Sequence, residues 1–67
     1  MTKFFNFKNA FGGITSVRIE PKEEKFNACI TVRFGKQVKN TQKVFPISEL
    51  NDYIDNLLGL GATEIFN

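Results

Sequence analysis

The sequence predicts a small α+β domain: a mostly antiparallel sheet in the order β-β-β-β-α-β, with one helix packed on one face. Three observations carry that expectation. Phe26, Ala28, Ile30, Val32 and Phe34 recur with period two while Asn27, Thr31 and Arg33 fill alternate places, the pattern of a strand with one buried and one wet face, ended by Gly35. Ile47, Leu50, Ile54, Leu57 and Leu58 fall at helical spacing just behind Pro46 and Ser48. A chain of 67 residues has room for one core only, so residues 1–67 form a single domain.

The elements follow in order. Lys3 to Phe7 reads as a first strand with Phe5 and Phe7 on one side and Phe4 on the other; a helical alternative would align Phe4, Phe7 and Phe11. Lys8 to Gly13 turns the chain, ending in a glycine pair. Ile14 to Glu20 is a strand with Val17 and Ile19 inward and Ser16, Arg18 and Glu20 outward. Pro21 to Lys25 is a polar loop leading into the central strand as a hairpin. Gly35-Lys36-Gln37 is the next turn, and Val38 to Phe45 the next strand.

That fourth strand has the weakest pattern. Val38 and Val44 share a parity with Asn40 and Gln42 between them, and Lys39, Thr41 and Lys43 point the other way, so a bulge or an edge position is expected. The helix follows, with Ser48 as its N-cap and Glu49 and Asp52 in the first turn, where the helix dipole favours acids. Gly59 is the expected left-handed residue after the helix, with Leu60 as the apolar contact behind it. Gly61-Ala62 then turns the chain into a last strand, Thr63 to Phe66.

Composition narrows the chemistry. There is no His and one Cys, which removes the usual general base, an internal disulfide and an ordinary zinc site. Ser16 and Ser48 lack a nucleophile context, and Cys29 lies on the outward parity, where a catalytic thiol would need an activating neighbour and an inert small residue explains it. Glu49, Asp52 and Asp55 could offer oxygen ligands to a hard cation, but no second cluster completes a cage, and a solvated helix face explains them. The expectation is a protein that is not an enzyme and carries no cofactor. There is no apolar run near 18 residues, no signal-peptide pattern and no paired cysteine, so a cytoplasmic protein with no membrane partner is expected.

Charge is unevenly distributed. Residues 1–45 hold all nine basic residues against three acids, a net +6, and residues 46–67 hold four acids and no base, a net −4. On the expected facing, Arg18, Thr31, Arg33, Lys39, Thr41 and Lys43 gather on the sheet face away from the helix and form the candidate partner-binding site. Such a face suits an acidic protein surface or nucleic-acid phosphates, although no RNP-type motif is present. The eight Phe residues either share the core or, at Phe4 and Phe11, contribute to a partner surface.

The run Gly35-Lys36-Gln37-Val38, the strand ending at Phe45, the Ser-capped helix from Ser48 to Leu58 and the Gly-broken return to Ile65 resemble the small phage anti-CRISPR proteins of the type I-F inhibitor group. The likeness covers roughly the C-terminal half of the chain. It implies a non-enzymatic inhibitor that binds a CRISPR surveillance complex, a protein–RNA assembly, in the host cytoplasm and keeps target DNA from engaging. The readings of function are therefore a protein-binding module acting through the open sheet face, a nucleic-acid-binding module using the same face, and a homodimer whose role is self-assembly.

Overall fold

Two hairpins with two-residue connections build most of the molecule. The computed structural model describes residues 2–65 and shows β1 (Lys3–Lys8), β2 (Ile14–Lys22), β3 (Lys25–Phe34) and β4 (Gln37–Pro46). A 3-10 turn (Ile47–Glu49), helix α1 (Leu50–Gly59) and β5 (Thr63–Ile65) follow. The sheet order is β4-β3-β2-β1-β5, with every neighbouring pair antiparallel. The α+β class is as the sequence predicts, and β1 is a strand, not a helix. Phe66, expected in the last strand, lies outside the described residues.

The core sits at one end of the sheet. Phe5, Ile19 and Phe26 are fully buried, with Val17, Ala28, Leu57 and Ala62 beside them. Ile30, one of the five residues on the inward parity of the central strand, is only partly buried at the core's margin. Tyr53 completes an aromatic group: its ring lies 5.5 Å from Phe26 and 5.2 Å from Phe45, and those two stack at 5.2 Å. Leu50, Tyr53, Ile54 and Leu57 are thus the helix positions that face the sheet, at the i, i+3, i+4, i+7 spacing of an amphipathic helix. Leu58 falls off this stripe and is exposed.

Both helix ends differ from expectation. Ser48 lies inside the 3-10 turn and is exposed; neither Pro46 before that turn nor Glu49 before α1 makes a side-chain capping bond. The Ile47 amide instead donates to the Glu24 carbonyl at 2.7 Å, so the sheet ladder satisfies a donor that a cap would otherwise serve. At the other end Gly59 is the last helical residue, and Gly61 takes the left-handed conformation at φ 88°. The Gly61 amide donates to Leu58 and the Ala62 amide to Leu57, each at 3.0 Å, the Schellman arrangement, with buried Ala62 and Leu57 as its apolar contact.

The loop between β1 and β2 is held by Asn9. Its Oδ1 accepts from the amides of Phe11 and Gly13 at 3.0 Å, and its Nδ2 donates to the Arg33 carbonyl at 3.2 Å and to Thr15 Oγ1 at 3.4 Å. Gly13 presses against the same carbonyl: a Cβ there would come within 1.7 Å of the Arg33 oxygen. The strand β2 runs on through Pro21 to Lys22, farther than expected, because Pro21 lies beyond the Lys3–Ile19 pair and no β1 residue among those described needs its missing N–H.

Candidate protein-binding face

Residues directly opposite each other in a sheet share a face, so the register fixes which side chains lie together. On the side away from α1 the register gathers Phe4, Asn6 and Lys8 of β1 with Ile14, Ser16, Arg18 and Glu20 of β2. From β3 come Asn27, Cys29, Thr31 and Arg33, and from β4 Val38, Asn40, Gln42 and Val44. This is the open face.

Three of the six expected site residues are on it and three are not. Arg18, Thr31 and Arg33 lie on the open face. Lys39, Thr41 and Lys43 lie opposite Val32, Ile30 and Ala28, on the helix side of the sheet. The cause is one residue of turn. The connection after β3 is Gly35-Lys36 alone, with Gly35 at φ 59°, so Phe34 pairs with Gln37. A three-residue turn would have put Val38 inward. The short turn sets Phe45 opposite Phe26 inside the aromatic group, and Lys43, Thr41 and Lys39 follow its parity.

The open face is knitted by side chains. Arg18 Nε meets Glu20 Oε1 at 2.9 Å, and Arg18 Nη2 donates to the Cys29 sulfur at 3.5 Å. The bond to Cys29 first, and the Glu20 carboxylate second, raise the Arg18 pKa above its already high ordinary value. Thr31 Oγ1 donates to Asn40 Oδ1 at 2.8 Å, bridging β3 and β4. Arg33 and Lys8 complete the cations of the face, so with Arg18 matched by Glu20 the charge is modest and spread among hydroxyls and amides. Phe4 lies half-buried beside Arg18, while Ile14, Val38, Val44 and Ile65 are exposed.

The aromatic N-terminal segment divides between roles: Phe5 is core, Phe7 packs against it, and Phe4 belongs to the open face. Phe11 is 74 % exposed at the loop tip, its ring 5.4 Å from Phe34. An open groove of about 630 Å³ runs where β5 stops short along β1, between Phe7, Lys8, Ile14, Leu60 and Ile65. Among the described residues Lys8 is the one titratable side chain lining it. Among the described residues no group of three or more His, Cys, Asp or Glu side chains comes together to hold a metal ion, and no helix is long and apolar enough to cross a membrane.

Sequence reasoning missed two residues that shape this arrangement. Tyr53 completes the helix stripe with Leu50, Ile54 and Leu57, a spacing present in the sequence. Asn9 precedes the glycine pair, where an Asn side chain commonly folds back on its own turn. No family model matches the chain, and no similar protein or solved structure is found among those compared.

Proposed function

We propose that this chain is a non-enzymatic binding module whose open sheet face docks on another protein. The observation that carries the reading is the composition of that face. It is uncovered by the helix, with one aromatic and four aliphatic side chains set among hydroxyls and amides, and among the described residues three cations, one of them already matched by an acid. Protein interfaces favour that mixture, with aromatic and Arg groups prominent and Lys scarce. A phosphate-binding surface gains its affinity from a dense cationic track instead. Dividing Lys39 and Lys43 from Arg18 and Arg33 weakens the nucleic-acid alternative, because the basic residues split between two faces.

The resemblance to phage inhibitors supplies a first partner to try, a bacterial protein–RNA surveillance complex in the cytoplasm. The test is capture from a bacterial lysate on the immobilised chain, run with and without nuclease treatment, followed by a salt series. A protein retained through the nuclease step with a shallow salt response is the expected result. Retention of nucleic acid alone, weakening by about one log unit per log of salt for each phosphate contact, overturns the reading.

A further inference from the structure

The outer edge of β4 is built to accept a strand. A two-residue hairpin makes Phe34 and Gln37 a hydrogen-bonded pair, and alternation then turns the backbone groups of Lys39, Thr41, Lys43 and Phe45 toward β3. The Ile47 amide bond to Glu24 continues the same ladder. The N–H and C=O groups of Val38, Asn40, Gln42 and Val44 therefore point outward, and among the described residues no strand lies beyond them. Gln37 to Val44 are exposed throughout. Pro46 ends this outward row with no N–H to offer.

The side chains on that edge select what can pair. A second copy of β4, pairing so that all four outward residues bond, sets Val38 against Val44 and Asn40 against Gln42. On the helix side it sets Lys39 against Lys43 twice, at the non-hydrogen-bonded positions where side chains approach most closely. Slipping the copy by two residues one way leaves Val44 facing Lys36 of the turn, and the other way leaves Val38 facing Pro46. The fully paired self-register is thus penalised by like charge and each slipped one loses the Val38–Val44 pairing, while an acid opposite each lysine would be favoured.

We infer that β4 docks an extended segment of a partner protein as an added antiparallel strand, with acidic residues four apart facing Lys39 and Lys43 and aliphatic residues facing Val38 and Val44, which are 58 % and 57 % exposed. The inference rests on the protein-binding reading and deepens it, because the added strand extends the open face at its β4 margin. Backbone bonds supply affinity in this mode and the alternating side chains supply selectivity.

The test uses the whole chain and a capped synthetic peptide, Thr-Val-Glu-Thr-Thr-Thr-Glu-Val-Thr, followed by amide resonances. Saturable shifts and slowed hydrogen exchange centred on Val38, Asn40, Gln42 and Val44 are expected. Replacing both Glu with Lys weakens binding by at least about tenfold, and the folded variant Lys39→Glu/Lys43→Glu reverses the preference. N-methylation of the two Thr amides that face β4 abolishes binding, while N-methylation of the Thr between them does not. No saturation by millimolar peptide, indifference to peptide charge, or indifference to N-methyl position each overturns the inference, as does a stable dimer of the chain in sedimentation. If the lysate partner is lost with Arg18→Glu/Arg33→Glu but kept with Lys39→Glu/Lys43→Glu, the edge inference fails and the face reading stands; if both variants keep it, both fail.

Discussion

Asn9 and Tyr53 each concentrate a physical argument in one side chain. Asn9 makes four hydrogen bonds that tie the β1–β2 loop to itself and to β3, so Asn9→Ala is expected to destabilise by about 1–3 kcal/mol in chemical denaturation. Gly13→Ala should cost more, because the Arg33 carbonyl occupies the space its Cβ needs. Burial among Phe26 and Phe45 raises the Tyr53 pKa, since the phenolate is disfavoured there. A raised folded pKa means the folded state holds its proton longer than the unfolded chain. That stability is fully present below the unfolded value near about 10 and is lost as pH rises through the folded value. Tyr53→Phe should therefore flatten the alkaline fall in stability; equal slopes for both proteins between neutral and alkaline pH would contradict the assignment.

At the level of elements, legibility depended on how strong the alternation was. The central strand could be read because five apolar residues share its parity and the facing of β2 follows from pairing with it. Strand β4 could not, since Val38 and Val44 outvote Phe45 by count, and the length of the preceding turn, which decides parity, differs by one residue between the two readings. The aromatic contact with Phe26 and Tyr53 settles the facing, a tertiary term with no local signature. The helix stop is ambiguous for a related reason: Gly59 and Gly61 both fit a C-terminal glycine, and only burial of Ala62 beside Leu57 selects the second. Lys39, Thr41 and Lys43, half of the candidate site, therefore lie on the side opposite to the one their alternation suggests, through one element. Phe45→Ala is expected to destabilise by about 3 kcal/mol and Val44→Ala by less than about 1 kcal/mol. The reverse order in denaturant midpoints would restore the alternative facing.

Over the whole molecule, packing is concentrated toward one end of the sheet. The core occupies one end of a body 36 × 22 × 20 Å, and beyond Ile30 the β3–β4 hairpin runs on past the buried cluster. A domain of this length has a total stability of only about 3–10 kcal/mol, so Phe26→Ala, at about 3–5 kcal/mol, is expected to remove a third or more of it and to lower the denaturant midpoint accordingly. Charge is divided on the same scale: Arg18 and Arg33 lie on the open face with Glu20, while the helix side of the molecule carries Lys39 and Lys43 as well as the exposed Glu49, Asp52 and Asp55.

The most direct measurement of the central claim is partner capture by three folded proteins side by side: the wild type, Arg18→Glu/Arg33→Glu, and Asp52→Lys/Asp55→Lys, each verified by circular dichroism. Docking through the open face predicts that the arginine reversal loses the captured protein while the helix reversal retains it at wild-type level. Loss with the helix reversal and retention with the arginine reversal would contradict the account and move the binding surface to α1.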